Sequence, residues 1–187
     1  MAAVEVECWF RACKRVEGRV VFMVKAVMDG VFSDPDVPFE LELPDSWVVD
    51  DSTRSSGVIV VRDSEPGSGG FHANVAITVA DLGDRGLDVE SCLADQHEME
   101  TEFVERLREY RLIFLGTDAF GLSPVPAVMR VASYVTSEGV AVMMHQYGFR
   151  RPGVEYSVTF TFAALDAPVL GPGAWGTAEA ARWSGDR

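Results

Sequence analysis

Alternation of apolar and polar positions is the strongest signal in this chain. In FHANVAITV, starting at Phe71, Val75, Ile77 and Val79 fall on one face of a strand, and Ala76, Thr78 and Ala80 on the other. Phe39, Leu41 and Leu43 alternate with Glu40 and Glu42 in the same way. So do Val154, Tyr156, Val158, Phe160 and Phe162 with Glu155, Ser157, Thr159 and Thr161. Each pattern is that of a strand with one face buried. Residues 127–163 read as an antiparallel meander of three strands, with a tight turn at Glu138-Gly139. Trp47 starts a short strand, and GVIVVRD (57–63) is apolar enough for a buried one.

The spacing changes to a helical period after Asp88, a suitable N-cap, and predicts one long crossover helix to Tyr110. Val89, Leu93, Phe103, Val104 and Leu107 share one face, with Cys92 and Tyr110 at its edge. Glu90, Glu98, Glu102, Glu105 and Glu109 lie opposite. Gln96 and Glu100 interrupt the apolar face, so the simplest expectation is that the helix overhangs the sheet and leaves both in water. Residues 4–28 read as a β-hairpin turning at Glu17-Gly18, although residues 2–14 also fit a helix. SDPDVP (33–38) breaks the pattern as a link. The expected organisation is therefore an N-terminal extension, 1–37, and a main domain, 38–187. The C-terminal stretch is Gly/Pro-rich around a short helical piece, Thr177–Trp183.

Composition changes this picture in one respect. Apolar residues at 48% and charged residues at 24% are ordinary, but the formal charge is −13. Nucleic acid and anionic membrane surfaces both need a basic patch, so neither is an expected partner. No secretory signal is visible, with Glu5 and Glu7 in the N-terminal stretch, and no run of about 20 apolar residues predicts a membrane span. The expected location is cytoplasmic, with Cys8, Cys13 and Cys92 as reduced structural thiols.

Candidate chemistry is sparse. His72, His97 and His145 lie on three separate elements, and no Cys/His cluster has metal-ligand spacing. SEPGSGG (64–70) lacks the Gly-Lys-Ser/Thr and the helix that a phosphate loop requires. GLSPV (121–125) lacks the second glycine of a nucleophile elbow. Glu98, Glu102 and Glu105 sit on a solvated face that does not raise a carboxylate pKa. Arg130, Arg150 and Arg151 could hold an anionic ligand, but the simpler expectation puts them at solvated hairpin ends. No catalytic, cofactor-binding or metal-ligating residue is expected. What remains is apolar and aromatic material beyond the needs of one sheet face. The candidate partner-binding surface is Met143, His145, Tyr147, Tyr156, Trp175 and Trp183.

Several phrases resemble the PsbP-like α/β/α fold, most nearly the actinobacterial LpqN/LpqT lipoproteins, with DcrB-type proteins and the Eag chaperones of type VI secretion as relatives. They are PFELELPDSWVVDD (38–51), FHANVAITV (71–79), LREYRLI (107–113), GLSPVPAVMRVASYV (121–135) and VMMHQYGFRRPGVEYSVTFTFAA (142–164). The resemblance implies an α+β architecture: an antiparallel sheet with a long crossover helix on one face and a short C-terminal helix on the other. It also implies non-enzymatic roles such as accessory subunit, effector chaperone or binder of a small GTPase. The chain departs from the family in lacking the lipoprotein signal, in carrying residues 1–37, and in a closing helix reduced to TAEAARW. The thin closing helix leaves one sheet face to be covered by residues 1–28 or by a second subunit. The expectation is a protein-binding module, a chaperone or adaptor for a secreted protein and a homodimer. The alternative is a small-molecule or lipid carrier using the apolar sheet face.

Overall fold

The computed structural model describes residues 30–184, and the hairpin expected over residues 4–28 lies outside them. Strands β1 (Val31–Ser33) and β2 (Phe39–Glu42) pair antiparallel, so residues 31–37 belong to the domain and not to a linker. The prolines and aspartates of 33–38 make a turn between them: the Asp34 carboxylate accepts from the Asp36 N–H at 3.0 Å and is paired with Arg54. β3 (Trp47–Asp50), β4 (Val58–Asp63) and β5 (Asn74–Asp81) follow where the alternation places them.

The long helix is the first substantial departure. It is two pieces, α1 (Val89–Glu98) and α2 (Glu100–Arg106), and the chain is extended again at Leu107. Asp88 caps α1 as expected, accepting from the Ser91 N–H at 2.7 Å. The last predicted turn is instead the start of β6 (Arg108–Phe120), which pairs with β7 (Val125–Val135). Residues 107–115 carry an apolar run that satisfies either period, and the β7 backbone selects the strand. β8 (Ala141–Arg151) and β9 (Val154–Ala163) complete an antiparallel meander of four strands rather than three. The sheet order is β3-β4-β5-β9-β8-β7-β6, with every neighbour pair antiparallel.

The closing helix also differs from the expectation. α3 spans Ala167–Glu179, and Arg182–Trp183 form β10, which joins β1 and β2 in a three-stranded sheet. Pro168 stands in the first turn, where its missing N–H costs no hydrogen bond. Gly171, Ala174 and Ala178 recur on the inward face and let the helix lie close to the sheet. That packing outweighs a composition that reads as loop.

The seven-stranded sheet has two unlike faces. Under α3 and the small sheet it presents Ile77, Met129, Tyr147, Phe149, Val158 and Phe160, all buried. Phe39 is the centre of that core, meeting Phe120, Phe149, Tyr156 and Trp183 edge-on at ring distances of 5.3–6.1 Å. The face under α1 and α2 carries Arg130, Gln146, Arg150, Ser157 and Thr161, all buried and polar. The fold is an α+β sandwich with helices on both faces of an antiparallel sheet.

Candidate binding surface

The six residues predicted to form a partner surface all lie on the aromatic side of the sheet: Met143, His145, Tyr147 and Tyr156 on its strands, Trp175 on α3 and Trp183 on β10 of the small sheet. They do not form an open surface. His145, Tyr147, Tyr156 and Trp183 are buried, Met143 is half-buried, and only Trp175 is exposed, at 44%. The longer α3 covers the face that the sequence left bare. Trp183 pairs with Phe39 across β10 and β2, and the Arg151 guanidinium lies 4.2 Å from its ring centre. His145 is held edge-on between Phe162 and Trp175, at 5.2 and 5.4 Å, and a Cβ on Gly171 would lie 3.6 Å from its Cε1.

Burial holds His145 below its ordinary pKa of 6.5, and its Nδ1 has no hydrogen-bond partner among the described residues. The folded state therefore disfavours the imidazolium, whereas the unfolded chain binds a proton once pH falls to about 6.5. Its contribution to stability is full above that pH and is lost as pH falls. Urea midpoints should drop more between neutral pH and pH 5 in the wild type than in His145→Leu. Parallel curves would contradict this role.

On this side of the sheet, exposed apolar side chains stand on α3 and its lead-in. Leu165, just before the helix, is 84% exposed, and Val169 is 77% exposed. Beside the helix runs a cleft of about 100 Å³, bounded by Leu43, Trp47, Phe160, Leu170, Ala174 and Thr177. Trp175 stands on the opposite flank, over His145. Leu165 and Val169 were hidden in a stretch read as a Gly/Pro-rich loop. The available signal was Pro168 followed by small residues at helical spacing, 171, 174 and 178.

The helical face opposite is a closed ionic network. Arg130, 1% exposed, donates from Nε to Glu100 at 2.9 Å, from Nη1 to the Gln96 and Gln146 side-chain oxygens at 2.7 Å each, and from Nη2 to the Gln96 carbonyl at 2.8 Å. The Phe103 ring lies 4.4 Å from the same guanidinium. Arg150 donates to the Gly86 carbonyl at 2.8 Å and pairs with Asp95 and Glu155. Arg130 and Arg150 are thus not solvated hairpin ends, and Gln96 and Glu100 do not hang over water. A strand cation and two polar helix positions answer one another, which is how α1 and α2 dock on the sheet. The donors are consumed inside the fold, so this site is not built to receive an anionic ligand. Cys92 is buried nearby, with its thiol 3.8 Å from the Gly148 carbonyl and pushed up to about 11 by burial.

Among the described residues no cluster of three His, Cys, Asp or Glu side chains is placed to hold a metal. None of their helices is long and apolar enough to cross a membrane. No family model and no curated protein matches the chain. Solved structures do. The solution structure of cyanobacterial PsbP (CyanoP) from Synechocystis sp. PCC 6803 aligns with a TM-score of 0.59 over 87% of this chain and 98% of that one, at 12% identity. LpqN of Mycobacterium tuberculosis, involved in cell envelope biogenesis, aligns with a TM-score of 0.57 over 84% and 88%, at 15% identity. PA94, a Pseudomonas aeruginosa protein of unknown function, aligns at 0.50 over 79% and 91%, at 21% identity. The fold is PsbP-like. At these identities the likeness is one of architecture.

Proposed function

We propose that this chain is a non-enzymatic protein-binding module, a cytoplasmic chaperone or adaptor that holds an apolar segment of a secreted or effector protein against the outside of α3. One observation carries the reading. A helix that served only to cover a sheet would turn its large apolar side chains inward and its small ones outward. α3 and its lead-in do the reverse for two of the large ones: Leu165 and Val169 face solvent, while Gly171, Ala174 and Ala178 face the sheet, and Trp175 lies on the flank against His145 with part of its ring exposed. Exposed apolar side chains grouped on one element are how protein-binding surfaces are made, with an aromatic as anchor. The adjoining cleft, at about 100 Å³, suits one inserted side chain and falls well short of the roughly 300–1,000 Å³ of small-molecule sites, so a lipid or ligand carrier is not favoured.

The test is recovery of a partner by tagged chain expressed in its native host. Wild type should retain one protein in stoichiometric amount, and Leu165→Asp and Val169→Asp should lose it, with melting curves close to wild type. Retention of that protein by both variants would place binding elsewhere. Recovery of no partner by wild type would count against the module itself.

A further inference from the structure

β6 is an edge strand of the large sheet, and no described strand lies on its outer side. Proteins keep such edges short, bulged, charged or interrupted by proline, because unpaired N–H and C=O groups recruit other strands. The opposite edge, β3, obeys this with four residues, whereas β6 has thirteen and contains no proline. Its two bulges do not protect it. The second leaves Ile113 without a partner on β7, and that side chain is 58% exposed between the exposed Leu112 and Phe114. Val104 on α2 is also exposed.

The charges flanking this apolar run point to what covers it. Arg111 lies opposite Ser133 of β7, and Asp118 opposite Ala127. Ser133 and Ala127 are an even number of positions apart, so Arg111 and Asp118 project from the same face of the sheet. They are separated by roughly 20 Å along the strand. Neither is in an ion pair with any described side chain. Two copies meeting antiparallel across a twofold axis would place Arg111 of each opposite Asp118 of the other, with Leu112, Ile113 and Phe114 between them. An isologous contact needs this kind of self-complementary sequence of charges.

We infer that β6 is a homodimer interface, where two copies join edge to edge into one continuous sheet with two Arg111–Asp118 pairs. The inference rests on β6 alone and is independent of the α3 surface.

Sedimentation equilibrium on the full chain tests it. Wild type is expected to be a dimer at micromolar concentrations. Arg111→Asp alone and Asp118→Arg alone each put like charges opposite one another and should weaken association at least about tenfold. Mixing these two variants regenerates both oppositely charged pairs and should restore a one-to-one dimer. Both positions are exposed, so unchanged circular dichroism melts serve as the folding control. A monomeric wild type overturns the inference and leaves the edge to the N-terminal residues of this chain or to a strand from another protein. A dimer unaffected by either variant, or a mixture that stays monomeric, overturns it as well.

Discussion

Replacing Arg130 with alanine is expected to destabilise the fold by about 3–5 kcal/mol, read as a shift in the urea midpoint. The guanidinium is 1% exposed and satisfies Glu100, Gln96 and Gln146 together. Its removal leaves the buried Gln96 and Gln146 carbonyl oxygens short of a donor and a carboxylate without its cation, costs that exceed the bonds themselves. Gln146 would keep its donated bonds to Ser157 and Thr159, at 3.1 and 3.2 Å, so the damage should centre on the seating of α1 and α2. The control is Glu102→Ala, which breaks only the half-exposed i,i+4 pair with Arg106 and should cost about 0.3–0.5 kcal/mol. Equal costs for the two variants would mean that the network does not anchor the helices.

Phe39→Ala is expected to cost a similar amount, about 3–5 kcal/mol, for a different physical reason. Phe39 is fully buried and meets four aromatic rings edge-on, from β6, β8, β9 and β10. Truncation opens a cavity that those rings cannot close, since each is fixed by its own strand pairing. Trp183 should feel the loss first, because it is held to Phe39 by the short β10–β2 pair. Its fluorescence should move toward the solvent-exposed value before global unfolding. A cost below about 1 kcal/mol would show that the small sheet contributes little to the core.

The same contrast separates what the sequence made legible from what it hid. Period-two alternation located β2, β5 and β9 because each buries one side chain in two against the aromatic core. Asp88 was legible as a cap because capping is local chemistry. Arg130 was not, since alternation alone reads it as the polar phase of β7. In fact it shares a face with the buried Val128 and Ala132, and its partners are 16 to 34 residues away in sequence. The clue was complementary: Gln96 and Glu100 interrupting an apolar helix face, and an arginine within an apolar strand. α3 was hidden because its helical conformation comes from packing small residues against His145 and Phe162, not from propensity. Reading it as loop exchanged the roles of two sets of residues. Tyr147, Tyr156 and Trp183, surface residues on a loop reading, face inward, and Leu165 and Val169 stand outside.

The α3 surface is best tested by placing a photo-crosslinking residue at Val169 and, separately, at Glu90 on the exposed side of α1, then irradiating the native host. The account predicts a single protein adduct from position 169 and none from position 90. No adduct at 169, or equal adducts at both positions, would contradict it.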